Sequence, residues 1–327
     1  MKSNINWGII GVGDVCEVKS APAMNKIPHS SIVAVMRRNE EKVKDYAARH
    51  GISQWYTEAD PLINHPEVNA IYIATPPGSH LEYVKKAALA GKDVYVEKPM
   101  GRTYAECEEM ISICQQNKVK LAVAYFRRTL PNYQKVKELI NSEAIGEVRF
   151  VDISLINAPN PSIIANKGEG WRTDPAIAGG GYFFDLASHQ LDFLDFLFGP
   201  IVKVHALSSN QAGFYATEDI VLGSFEFENH VKGIGKWCFT SSESSVEDQI
   251  RIIGSKGEIS FPCFGNNHVK LKTSEGIEET FKFEMPEHIQ YNLIKNVVNY
   301  FLDKEAPVST GISAARTNKV LDEFVRR

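Results

Sequence analysis

At 327 residues the chain exceeds the length at which one hydrophobic core usually stops growing, so two domains are expected. Its 43% apolar and 23% charged content is that of an ordinary globular protein and excludes a largely disordered chain. The balance of 36 basic and 40 acidic residues gives a net charge of -4, with no run of Lys or Arg long enough to follow a phosphate backbone. Nucleic acid is therefore excluded as an expected ligand.

The chain opens Met1-Lys2-Ser3-Asn4-Ile5-Asn6-Trp7, a start that leads into a strand pattern without the apolar stretch of a signal peptide or membrane span. The expectation is a cytoplasmic protein with no membrane partner. Five cysteines (Cys16, Cys107, Cys114, Cys238 and Cys263) form no C-x-x-C pair. An odd count without such a pair argues against a disulfide framework and against a zinc site, so no metal is expected.

Taken in chain order, Ile5 to Ile10, Ile32 to Met36, Ala70 to Ala74, Asp93 to Val96 and Lys120 to Val123 are short, nearly continuous apolar runs that alternate with helical patterns. Such alternation means βαβ units and a parallel sheet buried on both faces. Gly91, after Ala87-Ala88-Leu89-Ala90, reads as the glycine that ends a helix. From about Gly146 the runs lengthen and alternate, at Val148 to Ile156, Ile220 to Phe227, Val231 to Trp237, Gln249 to Ile253 and Val269 to Leu271. That pattern predicts a mostly antiparallel open sheet, with turns at Glu228-Asn229-His230 and Gly254-Ser255-Lys256-Gly257. One helix over Asp185 to Phe198 interrupts the strands, and helices over Ile289 to Leu302 and Ile312 to Val325 close the chain. The expected organisation is a Rossmann dinucleotide-binding domain over 1–123 and a substrate-binding and oligomerisation domain over 124–327.

The stretch Gly8-Ile9-Ile10-Gly11-Val12-Gly13-Asp14-Val15-Cys16 follows a strand and opens a helix, as a phosphate-binding turn requires. Gly11 permits the tight turn and Gly13 the approach of a pyrophosphate, with Asp14 and Val15 leading into the helix that would meet its charge. A third glycine is replaced by Cys16, which is still small. The second strand ends Met36-Arg37-Arg38-Asn39, where an NAD site carries an acid for the ribose hydroxyls. Guanidinium groups at Arg37 and Arg38 suit a 2′-phosphate and can stack on adenine, so NADP(H) is expected in preference to NAD(H).

Three further segments, Ala74-Thr75-Pro76-Pro77-Gly78-Ser79-His80, Val96-Glu97-Lys98-Pro99 and Gly179-Gly180-Gly181-Tyr182-Phe183-Phe184-Asp185-Leu186-Ala187-Ser188-His189-Gln190-Leu191-Asp192, occur in this order after the glycine turn. Together they resemble the glucose-fructose oxidoreductase, inositol dehydrogenase and rhizopine-catabolism (Gfo/Idh/MocA) family over essentially the whole chain, nearest to its 1,5-anhydrofructose reductase-like members. The resemblance implies that Lys98 bonds the reacting oxygen beside a nicotinamide, that the Lys98-Pro99 bond is cis, and that Thr75, Pro76, His80 and Glu97 belong to the cofactor groove. Pro77 stands where many relatives have Asn.

Asp185 and His189 lie four residues apart, so on a helix they share one face, with Asp192 three residues further on. The preceding glycines let the chain pass close to a ligand. Asp185 at a helix start and a core His189 also have a purely structural reading. Lys98, Asp185 and His189 form the expected catalytic set, with Lys98 and Asp185 also meeting substrate. Gly170-Trp171-Arg172 resembles a segment that lies near the nicotinamide in anhydrofructose reductase-like members, and Tyr125 and Arg127 either reach the substrate or support the domain junction. The implied activity is hydride transfer to or from a sugar-like carbonyl compound, in a homodimer or homotetramer. The alternatives are a non-catalytic NADP sensor or co-repressor, and a NAD-dependent glycosidase of the same family.

Overall fold

The short apolar runs of the first part of the chain become one parallel sheet, because strands that lack a polar face have to be covered on both sides. In the computed structural model, which describes residues 2–159 and 170–325, these are β1 (Ile5–Ile10), β2 (Ser30–Met36), β3 (Gln54–Tyr56), β4 (Ala70–Ile73), β5 (Asp93–Val96) and β6 (Leu121–Val123). Their order is β3-β2-β1-β4-β5-β6, and every neighbouring pair is parallel. The direction of travel across the sheet reverses at β1, so the carboxyl ends of β1 and β4 flank the point where such sheets bind ligands.

These strands belong to a unit made of Met1–Thr129 and Pro286–Ala315. One face of the sheet presents Ile10, Ile71, Ile73, Val94 and Val96 to a buried cluster with Leu62, Val84 and Met110, which come from the helices Ala59–Ile63, His80–Leu89 and Tyr104–Gln116. On the opposite face Trp7 lies 5.8 Å from Phe301 of the helix Tyr291–Phe301 and 6.3 Å from Tyr95. A fully buried side chain of this size contributes about 2–3 kcal/mol by area. The closing helix of this unit thus comes from late in the sequence, a return that a single break near residue 124 does not contain.

The second unit, Leu130–Met285 with Arg316–Arg327, is built on β7 (Val148–Ile156), β8 (Ile201–Ser209), β9 (Ile220–Phe227), β10 (Lys232–Cys238), β11 (Glu247–Gly254), β12 (Gly257–Phe261), β13 (His268–Thr273) and β14 (Glu278–Lys282). The order is β14-β13-β12-β11-β7-β10-β9-β8, antiparallel throughout except for the parallel pair β7 and β10. In β10 Gly233, Gly235 and Trp237 point inward while Lys232, Ile234 and Lys236 face out. A Cβ added at Gly233 would lie 2.1 Å from the ring of Phe225, and one at Gly235 2.0 Å from that of Trp237, so these glycines exist to seat the rings. Trp237 in turn packs 5.2 Å from both Phe183 and Phe324, and its Nε1 donates to Gln190 Oε1 at 2.7 Å. The outer face leaves Phe150, Leu207, Leu222 and Ile234 exposed, with Leu207 and Leu222 directly paired across β8 and β9.

Strands β3, β8, β12 and β14 extend the expected set. β14 reads Glu-Glu-Thr-Phe-Lys and carries no apolar alternation; pairing with β13 at the sheet edge makes it a strand. The helix expected over Asp185 to Phe198 is divided into a π-turn, Phe183–Ala187, and an α-helix, Ser188–Phe198.

Candidate active site

The glycine turn is shaped first by its neighbours. Gly11 has a φ of +94°, and a Cβ there would stand 2.6 Å from Thr75 Cγ2 at the end of β4. The Gly11 and Val12 amides both donate to the Met36 carbonyl, at 2.9 and 3.2 Å, which fastens the turn to the end of β2. Gly13 is different. A Cβ built on it meets only the Gly11 carbonyl oxygen, at 3.9 Å, so no protein group explains the missing side chain, and the opening suits a pyrophosphate drawn close to the backbone.

The chain does not enter a regular helix here, as the sequence pattern suggested. Asp14 leads into a π-turn, Val15–Lys19, followed by the four-residue helix Ala21–Met24. Cys16 is fully buried, with its Sγ 3.9 Å from the Gly11 carbonyl oxygen, and burial pushes its thiol up to about 12. It packs the turn and offers no thiolate. Arg37 Nη1 donates to the Val12 carbonyl at 3.0 Å, which holds a half-exposed guanidinium against the glycine turn, while Arg38 is exposed.

Beside this turn the ends of β4 and β5 are tied by one imidazole. His80 has no exposed surface; its Nε2 lies 2.8 Å from the Thr75 carbonyl oxygen and its Nδ1 3.1 Å from that of Met100. Burial lowers its pKa, against the two carbonyls that pull it up. Its contribution to a cofactor groove is to hold two loops, since the ring itself has no surface to offer. Ser79 Oγ donates to Thr75 Oγ1 at 2.8 Å, and Thr75 and Pro76 remain half-exposed. The Lys98-Pro99 bond is cis, as the resemblance implied, and Lys98 is half-buried next to the buried Glu97. Glu97 Oε1 accepts from Tyr72 Oη at 2.7 Å and from Gln290 Nε2 at 2.8 Å.

Gln290, Tyr72 and Tyr95 were not among the expected residues. The two tyrosines left a readable trace, because a phenol inside the fully buried strands β4 and β5 must find a partner. Tyr125 is fully buried within the apolar cluster of the first unit, so its ring supports that core. Arg127 is half-exposed in the turn Phe126–Thr129, with its guanidinium 5.3 Å from the centre of the Phe126 ring.

In the second unit Asp185 lies in the π-turn and His189 in the first turn of the α-helix that follows, so the junction between two helical geometries falls between them. His189 is 5% exposed and its ring stands edge-on to Phe264 at 5.9 Å. Asp192 is directed to the end of the chain, where it accepts from Thr317 Oγ1 at 3.4 Å. Arg172 Nε donates to Asp185 Oδ2 at 3.1 Å while its guanidinium stacks 4.3 Å from the centre of the Trp171 ring. Two glycines of the triple serve packing: a Cβ on Gly180 would lie 1.9 Å from the Phe184 ring and one on Gly181 2.0 Å from Thr217 Oγ1. At Gly180 and Gly181 the close neighbours are protein side chains.

A parallel sheet in this strand order, with a tight glycine turn at its reversal point, defines a dinucleotide-binding protein of the Rossmann class. Residues 5–125 match the family of oxidoreductases with an NAD-binding Rossmann fold, and residues 133–260 match the GFO/IDH/MocA C-terminal domain. The chain belongs to the Gfo/Idh/MocA oxidoreductase family. It is 41% identical to Oxidoreductase P35 of Formosa agariphila over 99% of both chains, and 28% identical to the D-xylose 1-dehydrogenase [NADP(+)] of Haloarcula marismortui over 78% of this chain and 71% of that one. Its fold superposes with a TM-score of 0.87 on the aldose-aldose oxidoreductase of Caulobacter crescentus, at 24% identity over 99% of this chain and 97% of the other.

The two glycines of the turn make opposite predictions. Gly11→Ala combines a left-handed backbone with a contact to Thr75 and should cost about 2 kcal/mol or more of stability, read as a lowered denaturant midpoint. Gly13→Ala should leave stability within about 0.5 kcal/mol while weakening dinucleotide binding in a fluorescence titration. Equal stability losses in both variants would refute the assignment.

Proposed function

We propose that the protein is an NADP(H)-dependent oxidoreductase that moves a hydride to or from a carbonyl or hydroxyl carbon of a sugar-like, polyhydroxylated small molecule. The observation that carries the cofactor choice is the Arg37 guanidinium fixed at 3.0 Å on the Val12 carbonyl, at the strand end where an acid would hold a free ribose hydroxyl. Arg38, exposed beside it, adds a second cation for a 2′-phosphate or a surface for adenine. The D-xylose activity of the Haloarcula relative, which carries NADP(+) in its name, supports both the cofactor and the substrate class. That all five cysteines are thiols and none is joined in a disulfide fits a reducing compartment such as the cytoplasm.

A bound nicotinamide would supply or accept the hydride. The side chains would manage the oxygen and its proton. Lys98 would stabilise the charge that develops on the reacting oxygen, and His189 would donate the proton that turns the alkoxide into a hydroxyl, or take it back in the reverse direction. Imidazole suits that exchange because its ordinary pKa, near ~6.5, lets it give or accept a proton around neutrality. Asp185 would orient His189 or bind a substrate hydroxyl, with Arg172 holding its carboxylate. Gly11, Gly13, Asp14, Val15, Thr75 and Pro76 would border the cofactor, Glu97 and His80 would brace that border, and Trp171 and Arg127 would be placed toward ligand.

Lys98→Ala and His189→Ala should each lower kcat by about a hundredfold or more while dinucleotide binding persists. Unchanged turnover in both would sink the assignment, and tight binding of NADP without turnover of any sugar or ketose would favour a sensor. For the cofactor, Arg37→Asp should weaken NADPH relative to NADH by about tenfold or more, and a wild-type protein that binds the two equally would contradict the preference. A second copy of the chain would cover the open face that bears Phe150, Leu207, Leu222 and Ile234. Light scattering at the mass of a dimer or tetramer is the expected result, and a monomer at micromolar concentration would count against it.

A further inference from the structure

We propose that Gln290 is a positioning residue for Lys98, acting through the buried carboxylate of Glu97. The inference rests on the reading of Lys98 given above. Gln290 stands 193 residues from Glu97 in the sequence and outside every segment that carried the resemblance, yet it is only 1% exposed, and both ends of its amide are engaged. Its Nε2 donates to Glu97 Oε1 at 2.8 Å, and its Oε1 accepts from Tyr95 Oη at 2.9 Å. Tyr72 Oη donates to the same Glu97 oxygen at 2.7 Å, and the Lys98 amide lies 3.3 Å from Glu97 Oε2. Three donors thus face one carboxyl group, whose two oxygens accept from all of them.

The backbone of the same segment grips the other loop. The Gln290 amide donates to the Lys19 carbonyl at 3.1 Å, and His288 Nδ1 lies 2.8 Å from the Val18 carbonyl oxygen. Val18 and Lys19 end the π-turn that follows the glycine turn. One residue therefore registers the chain leaving β1 against the chain leaving β5, immediately before Lys98. Only a side chain with a donor for the carboxylate and an acceptor for the phenol can do both, which is why glutamine fits and a carboxylate or an aliphatic group does not.

The groups around Glu97 leave a simple charge pattern. Cys16 comes from the π-turn, Tyr72 from β4 and Tyr95 from β5, and burial raises all three, so they stay neutral near neutral pH. His80, from the helix beside β4, is lowered by burial and feels the Glu97 charge. Lys98 follows directly in sequence.

Gln290→Glu tests this arrangement. Two carboxyls at hydrogen-bond distance share one proton, and while they hold it the shared O–H donates to Glu97 as the amide did; its loss at higher pH removes the donor and adds a charge. The first readout is the ε-carbon signal of Lys98 in dinucleotide-free, 13C-lysine-labelled protein, assigned with Lys98→Arg. In Gln290→Glu that signal should overlay the wild type near about pH 6 and depart from it reversibly near about pH 9. Gln290→Leu should be displaced at every pH. The second readout is turnover: kcat of Gln290→Glu should fall by about tenfold or more at the higher pH and recover at the lower, with KM for the dinucleotide within about twofold of wild type.

An unmoved Lys98 signal in Gln290→Glu across the range would overturn the proposal, as would a displacement that does not reverse with pH. Should Gln290→Leu fail to fold, the glutamate variant alone decides. A reversible Lys98 signal together with a wild type that turns over no sugar would leave the positioning role standing and remove the enzymatic reading instead.

Discussion

No methyl group fits at Gly11. The end of β4 presses Thr75 against the turn that leaves β1, and the left-handed backbone at Gly11 lets the chain reverse under that pressure. Because the Gly11 and Val12 amides share the Met36 carbonyl, the ends of β1, β2 and β4 are drawn into one surface at the reversal point of the sheet. Everything proposed for the cofactor follows from that closeness. Arg37 is the first residue after β2, so fixing Met36 to the turn brings its guanidinium within reach of the Val12 carbonyl. On the proposed reading, the choice of dinucleotide would turn on which residue follows β2, on a scaffold that would position an acid equally well.

A second constraint is the cost of polar groups in a parallel sheet covered on both faces. Leaving a buried donor or acceptor without a partner costs about 1–3 kcal/mol, so Tyr72, Tyr95, Glu97 and Gln290 have to be satisfied together or not at all. Their solution also does mechanical work. The bonds join β4, β5 and the residue after β5 to the segment that leads into the helix Tyr291–Phe301, and His80 repeats the device by reaching carbonyls after β4 and after the cis Lys98-Pro99 bond. The chain that follows β4 and β5 is thus held from beneath by buried polar groups.

Much of this was legible in the sequence, for physical reasons that also mark where reading stops. The strands β1, β5, β7 and β9 fall on their expected residues because near-continuous or alternating apolar runs leave few ways to bury them. The glycine turn and Arg37 drew attention as local departures from what a strand end would otherwise carry, whereas Lys98 stood out only through the family resemblance. Gln290 was not visible, since its meaning lies in a partner 193 residues away. Glycine is ambiguous in the same sense: Gly180 and Gly181 report that something stands close, and the sequence cannot say that it is Phe184 and Thr217 in place of a ligand. The four-residue spacing of Asp185 and His189 assumed one continuous helix, whereas a π-turn that ends at Ala187 stands between the two geometries, an irregularity that no local sequence pattern announces.

The Arg172 and Asp185 pair shows how weak contacts can matter at such a site. Its two members are unequally buried, with the arginine side chain 49% exposed and the carboxylate 19%. An ion pair this open contributes about 0–1 kcal/mol, because water and salt screen the attraction and ordering a long side chain offsets it. The carboxylate is therefore the fixed partner and the guanidinium the exchangeable one, backed by a Trp171 ring that is itself on the surface. The contact between Arg172 and Asp185 is itself weak enough for a ligand oxygen to replace it. A strong, buried pair at the same place would have fixed Asp185 permanently and removed it from any chemistry.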